Sequence, residues 1–171
     1  MTFQTAINIT QALAVDGQFA STNPRRSLLS VEGGFKAGAG GVFIAQFAWV
    51  DATNTLLSGT GAGLPSAFIA NVLTGFNGLM YGSGSPGGAT FFIPSGFPVG
   101  NAFTSGDFWV RNKGAGAVVV GMKAFAGNTN NAGTQFAAAG ATIANFTETK
   151  FIAATAGGPN ELIKMSSGLL G

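Results

Sequence analysis

Asp51, Asp107 and Glu148 each flank an aromatic strand-like stretch. Two such carboxylates, one as acid and one as base or nucleophile, can hydrolyse a glycosidic bond without histidine. The ordinary role of an acid at a strand end is to cap a turn and stay solvated. Gly82-x-Gly84-x-x-Gly87 has the spacing of a dinucleotide-binding loop. Pro86 and a β-rich stretch follow where such a loop requires a helix N-terminus, so a plain turn is expected. Trp49, Trp109, Tyr81 and the Phe91-Phe92 pair could line a flat platform for sugar rings; aromatics more often fill a core or an oligomer contact. Arg25-Arg26 follows the Asn23-Pro24 turn and offers two guanidinium forks to the carboxylates of a partner. Asn8-Ile9-Thr10 and Asn145-Phe146-Thr147 are glycosylation sequons, read as coincidence because no secretion signal precedes them.

Composition narrows the chemistry further. Of 171 residues, 8 are Lys or Arg, 6 are Asp or Glu, and none is His or Cys. Ser-His-Asp and Cys-His nucleophiles, the usual zinc sites and disulfides are thereby excluded. Asp-rich calcium loops and phosphate-binding loops are missing as well. Catalytic, metal-binding and cofactor-binding residues are expected to be absent. A net charge of +2 is too small for a nucleic-acid binder, which needs a basic stripe to displace counterions. No run of about 18 apolar residues occurs, so no membrane span is expected. With 46% hydrophobic residues the chain is predicted to fold. A charged fraction of 8%, against roughly 25% in ordinary domains, suits a surface that is covered by copies of itself or by a partner.

The elements that must position these residues are strands. Phe3, Thr5, Ile7 and Ile9 alternate with Gln4, Ala6, Asn8 and Thr10, which predicts an amphipathic strand over Thr2–Thr10. Val42–Val50 reads as one strand, apolar on both faces. Asp107–Arg111 and Ala117–Phe125 read as a hairpin across Asn112–Gly116, and Thr134–Ala138 and Ala141–Lys150 as another across Gly140. Pro94 and Pro98 demote the pieces around them to edges or arms. The whole reads as an all-β fold: a single domain over residues 1–171, a barrel or sandwich of about ten short antiparallel strands. Residues 1–30 are a candidate N-terminal strand or arm.

FASTNPRRSLL (Phe19–Leu29), AGAGGVFIAQFAWVD (Ala37–Asp51), IPSGFPV (Ile93–Val99), GDFWVRNKGAGAVVVGMKAFA (Gly106–Ala126) and TETKFIAATAGGPNELIKMSS (Thr147–Ser167) together resemble the structural cement, or capsid decoration, proteins of tailed bacteriophages. The resemblance lies in the order and span of these pieces, none of which is a catalytic signature. It implies a non-enzymatic protein, made in the host cytoplasm, that coats the outer capsid surface, bridges capsomers of the major capsid protein and forms a dimer or trimer. For contact with the shell or between subunits the expected residues are Phe3, Ile7, Ile9, Arg25, Arg26, Phe91, Phe92 and Phe97. The alternative from another class is a carbohydrate-binding or adhesin module on a virion or secreted scaffold.

Overall fold

Alternation in Asp107–Arg111 places Phe108 and Val110 on one face and Asp107, Trp109 and Arg111 on the other, and the observed burial follows that period of two. The same alternation buries Ile163 and Met165 in Leu162–Ser166. The computed structural model describes residues 14–31, 33–71 and 92–167. The described residues form fourteen short strands and no helix.

Seven strands make one sheet, in the spatial order β1 (Arg26–Ser27), β9 (Ala102–Ser105), β6 (Ala67–Ile69), β4 (Phe47–Val50), β5 (Leu56–Ser58), β2 (Phe35–Ala37) and β8 (Pro98–Val99). Five make a second: β10 (Asp107–Arg111), β14 (Leu162–Ser166), β13 (Phe146–Ala153), β11 (Lys123–Gly127) and β12 (Thr134–Ala137). A small ribbon pairs β3 (Val42–Phe43) with β7 (Phe92–Ile93). Pro98 lies in the outermost strand of its sheet, as a residue with no N–H to donate should.

Aromatic rings join the two large sheets. From the seven-stranded sheet, Phe47, Phe68 and Phe103 point inward to meet Phe108 and Phe151 of the other. Phe68 and Phe108 have centroids 4.8 Å apart, and Phe47 and Phe151 5.5 Å. This is a sandwich with one shared core. The chain crosses from β9 into β10 through the single residue Gly106. Its φ of +141° is a conformation side chains avoid, and an added Cβ would sit 3.0 Å from the Phe108 ring and 3.1 Å from the Arg25 Cβ.

Several expectations are corrected. Val42–Val50 is not one strand: Ala45 takes the left-handed conformation, φ 63°, and the chain turns between β3 and β4. The turn is held by Ala45 N–H donating to Ile69 O and by Ile69 N–H donating to Gln46 O. Ala117–Phe125 is also broken. Val118 bridges Gly157, residues 119–122 turn, and only Lys123 opens β11. Neither expected hairpin forms. β10 pairs with β14, while β12 and β13 flank β11 on opposite sides. The strands are not all antiparallel, since β2 and β5 run parallel.

Candidate functional site

The three carboxylates each close a different loop. At the end of β4, Asp51 accepts bonds from the Thr53 hydroxyl and from the backbone N–H of Thr55 (2.9 Å) and Leu56 (2.8 Å). The Thr53 hydroxyl first, and the Leu56 N–H next, hold its pKa down at about 2. At the start of β10, Asp107 accepts from Ser21 Oγ (2.6 Å) and Asn23 Nδ2 (2.7 Å). Burial pushes the Asp107 carboxyl up; the bonds from Ser21, Ser166 and Asn23, with the charge of Lys164, outweigh it and leave the group below its ordinary value. Glu148 in β13 accepts the Gly140 N–H at 2.7 Å and closes the turn there. Asp51 and Asp107, held below the ordinary carboxylate range, stay ionised at neutral pH and are unsuited to donate a proton as a general acid.

The depressed carboxyl of Asp51 gives a testable pH dependence. Between its unfolded value near 3.8 and its folded value near 2, the native state binds fewer protons than the unfolded chain. Stability is therefore expected to fall as pH drops through that window. Asp51→Asn should remove this component of the acid slope while leaving the rest, read from denaturant midpoints at a series of pH values.

Asp16 fastens the N-terminal segment to the second sheet. Its Oδ1 accepts the Arg111 N–H at 2.9 Å, and Oδ2 lies 3.9 Å from the Arg111 guanidinium. Burial raises its pKa, and the Arg111 N–H and charge offset part of that. Beyond it, Gly17 N–H donates to Trp109 O, Trp109 N–H to Gln18 O, and Ala20 N–H to Asp107 O. Residues 17–20 thus cover the open edge of β10.

Among the described residues, Trp49, Trp109 and Phe92 do not share one sugar platform. Trp49 is 6% exposed, in the core, with its indole N–H donating to Gly63 O at 3.0 Å. Trp109 lies on the outer face of the second sheet beneath Lys164, whose Nζ is 5.0 Å from the ring. Phe92 stacks obliquely on Phe43, centroids 4.8 Å apart. Tyr81 and Phe91 lie outside the described residues, as do the Gly82–Gly87 motif and the Asn8 sequon.

Of the residues expected at an interface, Phe3, Ile7, Ile9 and Phe91 also lie outside the described residues. Arg25 and Arg26 are exposed, and the Arg25 guanidinium sits 3.9 Å above the Phe19 ring. Phe97 is half-buried against the main core. Arg26 lies in β1, at one edge of the seven-stranded sheet, and Phe97 precedes β8, at the other edge. The sheet curls, because β8 runs into β9, the neighbour of β1, through only Gly100 and Asn101, a span of at most about 11 Å. Sequence reasoning missed Leu29 and Val31, which are 84% and 46% exposed beside the arginine pair. The signal was present: in an extended segment Leu28 and Leu29 cannot both face the core.

The described residues thus form an all-β sandwich whose carboxylates close turns and whose Arg25, Arg26 and Leu29 stand exposed beside a sheet edge. The particular family follows from comparison. Residues 3–167 match the family model of the XM1 gp53 minor capsid protein, and the chain belongs to that family. The fold is similar to a chain of a solved structure described as the capsid of Myoviridae phage XM1. The TM-score is 0.61 at 15% sequence identity, with 99% of each chain covered. No curated protein matches the chain. The expected kinship with phage capsid proteins is borne out at this level. The role is structural and capsid-associated, and the location is the virion.

Proposed function

We propose that this chain is a cement protein: it binds the outer surface of the major capsid protein shell, bridges neighbouring capsomers and carries out no catalysis. The observation that supports this best is the exposed arginine pair Arg25-Arg26 with the exposed Leu29 beside it, at the edge strand β1. Many weak contacts of this kind, repeated over a shell, add up through multivalency. Low charge fits the same role, because a charged interface core is costly to desolvate. The amphipathic stretch Thr2–Thr10, carrying Phe3, Ile7 and Ile9, would add a strand to a neighbouring subunit in a dimer or trimer.

The test mixes purified protein with empty expanded shells of the major capsid protein and images them. Regular density on the outer surface is expected. Bare shells at saturating protein would overturn the proposal. Deleting residues 1–10 should weaken oligomerisation or shell binding; a truncated protein that decorates with unchanged affinity removes the strand-addition part.

A further inference from the structure

We infer that residues 25–31 form a docking strip for a different protein, one whose surface sets carboxylates around an apolar socket, and that this strip does not join copies of this chain. The inference rests on the cement role, which makes that different protein the shell subunit. Arg26 and Ser27 form the short edge strand β1, with pairs Arg26↔Ser105 and Ser27↔Phe103 and an irregular register between them. Leu28 N–H donates to Ala102 O at 2.9 Å, and the Leu28 side chain packs on the main core. With Leu28 turned in, Leu29 is turned out into solvent at 84% exposure. A single exposed leucine is common on protein surfaces. This one has two guanidinium groups close by in the chain. Arg25 is steadied on the Phe19 ring, and Arg26 lines a groove with Pro24, Ser105 and Ser167. An apolar anchor next to arginines is the composition of an interface hot spot.

Charge selects the partner. Among the described residues every carboxylate is already engaged. Asp16 holds Arg111, Asp51 holds the Thr53–Leu56 turn, and Asp107 holds Ser21 and Asn23. Glu148 holds Gly140 and Glu161 holds Gly158. The remaining acid, Glu32, lies outside the described residues. A two-fold contact through the strip would set Arg25 and Arg26 against their own copies, and like charges across an interface are costly. A contact with another face of a second copy would have to share carboxylates that already accept bonds from their own loops. A protein with uncommitted Asp or Glu meets neither cost.

Leu29→Asp and the double reversal Arg25→Glu/Arg26→Glu test this in the full-length chain, with Leu64→Asp as control. Leu64 is also exposed, at 63%, in the connection between β5 and β6. Both strip variants should lose shell binding by about tenfold or more, with sedimentation behaviour and melting temperature unchanged. Leu64→Asp should bind as the parent does. Raised salt should weaken the parent and, by screening the new like-charge repulsion, partly restore the reversed variant. Strip variants that change oligomeric state while still decorating shells would show that the strip joins copies and overturn the inference. Unchanged binding, or equal loss in Leu64→Asp, would overturn it as well. Failure of the parent itself to decorate shells would instead bring down the cement role, and this inference with it.

Discussion

Truncating Phe108 to alanine is expected to cost about 3–5 kcal/mol of folding stability, the range for large-to-small changes at well-packed aromatic sites. Phe108 is fully buried, and its ring meets rings from both sheets and from the N-terminal segment. Phe68 lies 4.8 Å away, Phe19 5.7 Å, Phe103 5.9 Å and Phe151 6.0 Å, centroid to centroid. Losing the ring removes aromatic contacts on every side and leaves a cavity that β10, pinned by β14 and by residues 17–20, cannot collapse to fill. In a domain of this size the melting temperature should fall by roughly 6–20 °C. Phe108→Leu keeps much of the volume and should cost clearly less. Thermal or denaturant unfolding decides the matter, with Phe97→Ala as the comparison, since Phe97 is only half-buried at the rim of the core. If Phe108→Ala shifts the midpoint no more than Phe97→Ala, the sheets are not held together where the rings converge.

How much of this was legible in the sequence depends on whether the determining interaction is local. Alternation in Asp107–Arg111 and Leu162–Ser166 is local, and both strands stand where it puts them. The missing N–H of Pro98 is local, and the residue lies at an edge. The left-handed turn at Ala45 is not. Alanine carries no preference for that conformation, and the turn is imposed by bonds to Ile69, far along the chain. Pairing was illegible for the same reason. Asn112–Gly116 has the chemistry of a hairpin loop, yet β10 takes its partner from β14, about fifty residues later. The carboxylates illustrate the site-level version. Residue type marked Asp51, Asp107 and Glu148 as chemically capable, and only the positions of Thr53, Ser21 and Gly140 reveal them as loop fasteners. The role came instead from the order of non-catalytic segments along the chain, which family membership bears out for the capsid association.

Asn112 is where a misjudged turn residue becomes the second large prediction. It is 1% exposed and its side chain is fully employed. Nδ2 donates to Gly116 O at 2.9 Å and to Gly158 O at 3.1 Å, and Oδ1 accepts the Gly114 N–H at 2.9 Å. Its backbone N–H donates to Glu161 O, and its carbonyl accepts from Asn160. One side chain therefore ties the turn after β10 to the turn before β14. Asn112→Ala strands two carbonyls and one N–H and should cost roughly 2–4 kcal/mol. Asn112→Asp keeps the shape but turns a carboxylate oxygen toward two carbonyl oxygens in a buried site. That environment raises the carboxyl's folded pKa above its unfolded value, so the charged form is penalised at neutral pH and the penalty eases as pH falls. The stability gap between Asn112→Asp and the parent should therefore narrow on acidification, while the gap for Asn112→Ala stays constant. Parallel denaturant titrations at neutral and mildly acidic pH separate the two. An aspartate variant as stable as the parent at neutral pH would mean that the two turns are held together by their backbone bonds alone.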